Sequence, residues 1–372
     1  MSKKMKKLMA VLLCFAMLFS VTSVAQAKED TADVKQVSIG FIGWGYTDTL
    51  GAAYKEYFDY IAEEFGMNVT LVAGTTQEEH ISLAEDLIEA GVDGILAYQV
   101  TSPMMKLCDE AGVYLMQFGS PITDEDIQAN LDGSDYWLGT SSVDDYKSGQ
   151  NMVEALYEDG CRNMVVLGVA AGNPCHDLRW NGIMDKAAEY DDMTVIGEYR
   201  GGTAAAQEYS DQVQNFVAMY PEMDSIAMTG ASSGNLDAVL SALDTVGMTG
   251  TVKLATLDVQ EGTDTYLEEG SLLFIGGGQH PEVIFLAILM ADIIRGSLDM
   301  GGEEVSLVGQ FINIVGTDGY EEFKKYIMDD FPYYIEELKA VSTSFNPDTS
   351  YQELYDLWNS YSLDDVETRH AK

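Results

Sequence analysis

The chain consists of two successive series of alternating strands and helices, and this internal repeat limits the possible fold more than any other feature. The first series begins with a buried strand at Val37–Gly43, and the second restarts with a similar strand at Asn163–Val169. Apolar residues then recur every three or four positions, as in amphipathic helices. Parallel strands need such crossover helices, which cover both faces of the sheet. We therefore expect an α/β fold of two similar, doubly wound parallel-sheet lobes.

The same patterns assign the remaining elements. The first series has predicted strands at 37–43, 69–73 and 94–98 and helices at 48–65 and 77–90. The second has strands at 163–169, 193–199 and 224–228 and helices at 177–190 and 204–219. The last third has strands at 251–257 and 271–276, a helix at 282–295, an extended run at 305–315 and helices within 318–339. A capping box at Ser350–Glu353 predicts a short helix through Trp358 that packs on a lobe.

The N-terminus has the pattern of an export signal. Four lysines lie within the first seven residues and precede an uncharged apolar run, Leu8–Val24. Ala25–Ala27 then supplies the small-x-small pattern of a cleavage site, so Lys28 is the expected first residue of the mature protein. A retained membrane anchor and lipidation at Cys14 are alternatives, although a lipoprotein cysteine normally follows a small residue and Leu13 does not fit.

Composition excludes several classes of partner. The chain has 61 acidic and 20 basic residues, a formal net charge of −41. Such a surface repels nucleic acid and anionic lipid, because binding to either depends on Lys and Arg. The apolar segment Val283–Ile294 contains Asp292 and is too short to span a bilayer. Outside the signal, Cys108, Cys161 and Cys175 form an odd set, so no disulfide framework is expected.

The repeat and its continuation define the expected domains. These are a signal peptide (1–27), an N-terminal lobe (28–140 plus 280–307), a C-terminal lobe (141–279 plus 308–345) and a C-terminal helix and tail (346–372). Three chain crossings form a multi-strand hinge between the lobes. They are expected at Gly139–Ser142, at Gln279–Pro281 and at about Leu307–Ile312.

Ligands of open parallel sheets bind at the carboxyl ends of the strands, so the loops there hold the candidate site residues. The candidates are Trp44, Tyr46, Asp48, Gln99, Ser120, His176, Asp177, Arg179, Asp258 and Gln279. Aromatic rings, amides and carboxylates predominate, and Arg179 is the one fixed cation among them. This balance favours a neutral polyhydroxyl or cationic ligand, because carboxylates accept strong hydrogen bonds from hydroxyls and flat rings cover apolar sugar faces.

Structural roles are open for several of these residues. Asp48 can cap the helix that follows it, and Trp44 and Tyr46 can be packing residues. Asp258 can serve loop hydrogen bonding instead of ligand contact. His176 lies beside a cysteine, but no further ligand follows at zinc spacing, so neither a metal nor a cofactor is expected.

Two catalytic motifs have partial matches. Gly43–Asp48 begins like a dinucleotide-binding turn but lacks the third glycine. Gly230–Gly234 places Ser232 between a strand and a helix, and Asp258 and His280 follow in the chain order of an α/β-hydrolase triad. A secreted serine esterase built on Ser232 is therefore an alternative. A hydrolase sheet, however, does not restart as a second copy.

The order and spacing of several stretches resemble the type I periplasmic binding proteins, in particular the ribose- and galactose-binding branch. The resemblance covers about Val37–Val315. It rests on the stretches Val37–Gly43, Ala90–Leu96, Arg179–Ile183, Tyr220–Asp224, Leu257–Asp258 and Gln279–Glu282. It implies two hinged lobes that close on a sugar-like ligand and deliver it to the permease of an ABC importer, without covalent chemistry. The implied protein is exported, monomeric and not an enzyme; a sensor kinase or chemoreceptor is the alternative client.

The resemblance also assigns roles to individual residues. Asp48 matches the first-loop residue that binds sugar hydroxyls, Asp258 the carboxylate of the second lobe, and Gln279 the glutamine of the last crossing. Gly119–Ser120 departs from the family, which usually has an aspartate there, and Asp177 stands where an arginine is common. Gly230–Ala231 replaces an expected polar residue. These departures leave a modified, amino or larger sugar possible.

Overall fold

The computed structural model describes residues 34–47, 49–122, 125–131, 133–201, 206–231, 234–260 and 262–371. The predicted signal peptide, Asp48 and Ser232 lie outside these residues. The chain divides into two units, Met1–Lys35 and Gln36–Lys372, and every element described below belongs to the second unit. In the described residues, no helix has both the length and the apolar character needed to cross a membrane.

The first lobe is built on a six-stranded sheet in which every neighbouring pair of strands is parallel. Its strands are β1 (Val37–Gly43), β2 (Met67–Ala73), β3 (Gly94–Ala97), β4 (Tyr114–Gln117), β5 (Trp137–Val143) and β11 (Val305–Gly309). They lie in the order β11-β5-β4-β3-β1-β2. The order reverses between β1 and β3, so the loops that follow these strands open a crevice at their carboxyl ends.

The second lobe repeats this arrangement with a second six-stranded sheet. Its strands are β6 (Asn163–Val169), β7 (Thr194–Gly201), β8 (Ser225–Met228), β9 (Lys253–Leu257), β10 (Leu272–Gly277) and β12 (Ile312–Val315). The order is β12-β10-β9-β8-β6-β7, and only the edge strand β12 is antiparallel to its neighbour. Two sheets with the same winding confirm the predicted α/β fold of two doubly wound lobes.

Helices cover both sheets. Those of residues 49–245 are α1 (Thr49–Ile61), α2 (Gln77–Glu89), α3 (Ser102–Ala111), α4 (Glu125–Leu131), α5 (Asp145–Glu158), α6 (Pro174–Ala188), α7 (Ala206–Met219) and α8 (Asn235–Thr245). The later ones are α9 (Thr263–Glu268), α10 (Glu282–Arg295), α11 (Gly316–Phe323), a π-helix (Lys324–Met328), α12 (Ile335–Ala340), α13 (Tyr351–Asn359) and α14 (Leu363–His370). Helix α10 is buried from Glu282 to Asp292 because it packs on α1 and on four strands of the first sheet.

Three short segments connect the lobes, as the multi-strand hinge requires. Gln310–Phe311 lies within the predicted crossing at about Leu307–Ile312, and Gly278–Pro281 begins one residue before the predicted crossing at Gln279–Pro281. The predicted crossing at Gly139–Ser142 is instead part of β5, where Gly139 pairs with Val305. The chain leaves the first sheet only at Asp144, whose N–H donates to the Gly309 carbonyl at 3.0 Å. Because β5 pairs with β11 through Val143, the crossing lies later in the chain than predicted.

A close contact between α5 and α6 depends on two glycines. A Cβ on Gly149 would lie 2.2 Å from the Arg179 carbonyl oxygen, and one on Gly182 would lie 2.0 Å from the Tyr146 carbonyl oxygen. Any larger residue at either position would separate the two helix backbones. Because the two helices approach so closely, the side chain of Arg179 reaches Asp145 at the start of α5 and forms a hydrogen bond with its carboxylate.

The residues after Val315 form a C-terminal segment (316–371) that contacts both lobes. On the first lobe, the Asp292 carboxylate accepts hydrogen bonds from Ser342 at 2.9 Å and from the Thr343 N–H at 2.8 Å. Helix α11 lies beside α9 and β12 of the second lobe. The predicted capping box at Ser350–Glu353 is not formed as such, because the Ser350 hydroxyl donates to the Glu353 carboxylate and accepts no bond from its N–H.

Candidate binding cavity

A cavity of about 420 Å³ lies where the carboxyl ends of the two sheets face each other. The first lobe, the hinge and the second lobe all contribute to its lining. The lining residues are Trp44, Thr49, Leu50, Tyr54, Tyr98, Gly119, Val143, Cys175, His176, Arg179, Asp258, Val259, Gln260, Gln279, His280, Glu282 and Phe311. A volume of this size suits a small molecule.

Three aromatic side chains line the first-lobe side of the cavity. Trp44 follows β1 and makes edge contacts with Tyr98, whose ring centroid is 4.8 Å away, and with Tyr54 at 5.8 Å. Burial raises the pKa of the Tyr98 phenol above its ordinary value. The rings therefore present flat, neutral surfaces of the kind that pack against the apolar faces of a sugar.

The second-lobe side carries an arginine held between two carboxylates. The Arg179 Nε donates to Asp145 at 2.8 Å, and its Nη1 donates to the Thr229 carbonyl at 2.9 Å and lies 3.7 Å from Asp258. Burial alone would lower the pKa of Arg179, but Asp145 above all raises it. The guanidinium also lies over the Phe311 ring, 5.4 Å from its centroid. A charge that is compensated in this way stays fixed in place.

Asp258 occupies the point where the second lobe meets the hinge. It is the one non-glycine residue with a positive φ in the described ranges, at 71°. Such a conformation is costly for an aspartate and is typical of functional sites. The Gln279 amide donates to its carboxylate at 3.0 Å, and the buried Oε1 of Gln279 has no hydrogen-bond partner in the described residues. The unsatisfied oxygen is available to a ligand donor.

Gly230 leaves the space that the Arg179–Asp258 pair occupies. A Cβ at this position would lie 2.9 Å from the His176 ring and 3.4 Å from both Arg179 Nη1 and Asp258 Oδ2. This close packing explains why the chain has Gly230–Ala231 where the resemblance leads us to expect a polar residue. A polar side chain here would displace groups that line the cavity.

Both histidines of the cavity are held neutral. Burial lowers the pKa of His176 to about 3, and its Nδ1 lies 2.9 Å from the Thr229 hydroxyl. Burial also lowers the pKa of His280 to about 4, and its Nδ1 has no hydrogen-bond partner in the described part of the chain. Asp258 bonds to Gln279 and not to His280, so the geometry lacks the base-orienting hydrogen bond that a hydrolase triad needs.

The cysteine of the cavity is not activated. Burial raises the pKa of the Cys175 thiol to about 11, so it stays protonated and is a poor nucleophile. Across the described ranges, no three His, Cys, Asp or Glu side chains converge as a metal ion would need. Cys108 and Cys161 are likewise buried free thiols. The arrangement can hydrogen-bond and stack against a polar ligand.

Five of the ten predicted site residues line this cavity, namely Trp44, His176, Arg179, Asp258 and Gln279. Asp48 lies outside the described residues. The structure places the other four outside the lining.

Local contacts or exposure explain why these four residues, which are Tyr46, Gln99, Ser120 and Asp177, do not line the cavity. The Tyr46 hydroxyl donates to the Val72 carbonyl at 2.7 Å, which fixes it against the sheet. The Ser120 carbonyl accepts from Gln117 at 2.9 Å, and Gln99 is exposed. Asp177 pairs with Arg200 and accepts from the Gly172 N–H at 2.8 Å.

Several lining residues were not among those predicted from the sequence. Tyr98 ends a predicted strand and Phe311 lies in a predicted crossing, so the rule that selects loops at strand ends could have found both. Glu282 gave no distinguishing signal, because an acidic residue in the first turn of a helix is ordinary. The residue is 1% exposed, and its carboxylate accepts a hydrogen bond from the Gly119 N–H at 2.9 Å.

The family description "periplasmic binding protein domain" matches residues 39–297, well over half of the chain. The chain belongs to this family of periplasmic binding proteins. No protein of curated function matches the sequence.

Solved structures share the fold at low sequence identity. A periplasmic sugar-binding protein from Pseudomonas fluorescens superposes with a TM-score of 0.70 at 15% identity, over 89% of this chain and 99% of that one. An ABC transporter solute-binding protein from Actinobacillus succinogenes 130z, with bound D-allose, gives 0.64 at 16% identity over 77% and 99%. One from Agrobacterium vitis, with bound α-D-tagatopyranose, gives 0.63 at 16% identity over 76% and 95%.

Proposed function

We propose that this chain is an exported solute-binding protein that captures a sugar or sugar derivative between its lobes and delivers it to an ABC importer. One observation carries the proposal: aromatic faces on one side of the cavity oppose the Arg179–Asp258–Gln279 group on the other. Stacking rings and compensated hydrogen-bonding groups are what a neutral polyhydroxyl ligand requires.

The fold neighbours support a sugar as the ligand class. Those from Actinobacillus succinogenes and Agrobacterium vitis hold D-allose and α-D-tagatopyranose, and a second Agrobacterium vitis protein holds D-fucose. Three monosaccharides of different configuration on one fold indicate that the class is shared while the individual sugar is not. The proposal for this chain is therefore a monosaccharide or a derivative of similar size.

The mechanism that we propose is hinge closure around the ligand. The predicted domain limits, 28–140 plus 280–307 and 141–279 plus 308–345, place the aromatic residues Trp44 and Tyr98 in one lobe and the Arg179–Asp258 pair in the other. A ligand that contacts both sides stabilises the closed arrangement more than the open one, so binding shifts the population toward closure. The closed form is then the one that an importer permease recognises. The protein acts as a monomer outside the cytoplasm and leaves its ligand chemically unchanged.

Isothermal titration calorimetry tests the binding step. The panel is D-allose, D-tagatose, D-fucose, D-galactose and D-ribose, and the variants are Asp258→Asn and the control Asp191→Asn, whose side chain is exposed. We expect one-to-one saturable binding of at least one sugar, weakened about tenfold or more in Asp258→Asn because a charged acceptor is lost. The control keeps wild-type affinity. No binding across the panel, or equal binding by Asp258→Asn, contradicts the proposal.

A further inference from the structure

Glu282 is a buried carboxylate in a part of the cavity that is otherwise mostly aromatic and apolar. It opens α10 directly after Pro281, is 1% exposed, and lines the cavity. Its first-lobe neighbours in the lining include Trp44, Leu50 and Tyr98. A carboxylate buried among such groups is unfavourable unless it is hydrogen-bonded, so its position calls for partners.

The protein supplies only part of what this carboxylate can accept. The Gly119 N–H, in the loop after β4, donates to Glu282 Oε1 at 2.9 Å, and the buried Ser141 hydroxyl is a second donor beside this carboxylate. An ionised carboxylate has about four acceptor positions, so capacity remains for a donor inside the cavity. Two more carboxylates belong to the opposite side: Asp145 Oδ1 accepts from Arg179, and Asp258 accepts from Gln279 and is the acceptor proposed for the second lobe.

We propose that Glu282 is the specificity-determining acceptor of the first lobe, which takes a hydrogen bond from one hydroxyl of the bound sugar. This inference rests on the proposed function and extends it, because it names the side chain through which the first lobe selects among sugars. Gly119 fixes the carboxylate, and the start of α10 positions it at the hinge. Glu282 would thus bind a ligand hydroxyl on the side of the cavity opposite to Asp258.

The ionisable groups that face Glu282 decide how its role depends on pH. Burial raises the pKa of Glu282 to about 7, although hydrogen bonds from Gly119 and Ser141 lower it; Asp145, from α5, raises it slightly. Burial raises the pKa of Asp145 itself to about 6, whereas His280 stays neutral above about 4. Arg179 and Asp258 are paired on the opposite side. Because Asp145 also titrates in this pH range, a pH dependence of sugar affinity is assigned to Glu282 only by comparing the wild type with a Glu282 variant.

The test is a thermodynamic cycle between protein and ligand. The probes are the tightest-binding sugar of the panel above and its monodeoxy analogues, titrated at pH 8.5 into wild type, Glu282→Gln and the control Glu304→Gln, which is exposed. We expect Glu282→Gln to bind the parent sugar about tenfold more weakly. One monodeoxy analogue loses a similar factor with the wild type and loses nothing further with Glu282→Gln. A merely structural role for Glu282 would not produce this dependence on one hydroxyl.

The outcomes separate this inference from the proposed function. At pH 5.5, where the carboxyl is protonated, the affinity ratio of wild type to Glu282→Gln is expected to approach one. If the wild type binds sugar but the losses are additive for every deoxy analogue, the role of Glu282 is overturned and the proposed function stands. If the wild type binds no sugar of the panel, both the proposed function and this inference are contradicted.

Discussion

At the scale of single residues, the cavity depends on side chains that are fixed before any ligand arrives. Arg179, Asp258 and Gln279 were predicted from the loops that follow the strands, because the carboxyl-end rule depends only on strand order. Glu282 could not be predicted in this way. Its role depends on the approach of the Gly119 N–H, 163 positions away in the chain, and on burial that only the folded lobe creates.

The absence of a side chain at Gly230 gives the first prediction. A Gly230→Ala methyl would lie 2.9 Å from the His176 ring and 3.4 Å from both Arg179 Nη1 and Asp258 Oδ2. We expect the His176 ring, which lines the cavity, to shift and sugar affinity to fall about tenfold, a loss of ~1.4 kcal/mol in binding free energy. Calorimetric titration measures it. The control is Gly133→Ala, where nothing lies within 4 Å of the added Cβ. Unchanged affinity in Gly230→Ala would rule out this packing role.

The buried carboxyl of Glu282 gives a pH-dependent prediction. Burial raises its pKa from 4.5 to about 7, so the folded state binds this proton more tightly than the unfolded state. The contribution to the free energy of unfolding is therefore fully present below pH 4.5 and is lost as pH rises through about 7. The loss is on the order of 3 kcal/mol.

Glu282→Gln has no such titration, and other groups titrate in both proteins. Its stability relative to the wild type should therefore increase between pH 4.5 and about 7. Urea unfolding at several pH values in this window measures the difference. A difference that does not change with pH would show that the carboxyl keeps its ordinary pKa. The exposed Glu304→Gln serves as the control and should show no trend.

At the scale of elements, hydrophobic periodicity predicted most strands and helices close to their observed ends. The strands Val37–Gly43 and Asn163–Val169 and the helix Glu282–Arg295 have the predicted bounds. The extended run 305–315 is two strands that belong to different sheets. Composition could not show that division, because both strands are similarly apolar and only long-range pairing separates them.

The contact between α5 and α6 gives the prediction at this scale. Gly182→Ala would place a Cβ 2.0 Å from the Tyr146 carbonyl oxygen, which is backbone and cannot rotate away. Alanine favours a helix by up to about 1 kcal/mol, but we expect separation of the helices to outweigh this gain. The net loss in the free energy of unfolding is about 2 kcal/mol. Urea unfolding measures it, with Gly133→Ala as the unstrained comparison. A stabilised Gly182→Ala would contradict the close contact.

At the scale of the whole molecule, the C-terminal segment connects to the hinge. The Tyr361 hydroxyl donates to the Gly278 carbonyl at 2.7 Å, in one crossing between the lobes. Trp358 is fully buried beside Gly309, where the next crossing begins. This segment lies beyond the family match, which ends at residue 297. The sequence predicted a helix through Trp358 on a lobe, but not its position at the crossings.

Removal of the indole tests how much stability this segment contributes. Trp358→Ala deletes a side chain with no exposed surface, and we expect the free energy of unfolding to fall by about 3–5 kcal/mol. Met219→Ala, at a side chain that is 59% exposed, should change it by less than about 0.5 kcal/mol. Denaturant unfolding followed by circular dichroism measures both. Equal stabilities would mean that the segment does not pack on the hinge.

In the proposed function, the two lobes hold one small polar ligand without altering it. Native mass spectrometry of the full chain, purified without dialysis and then incubated with the sugar panel, measures such a complex. We expect a complex of one chain with one sugar, from which denaturation releases the sugar with its mass unchanged. A ligand-free chain under every condition, or a released sugar of altered mass, would contradict it.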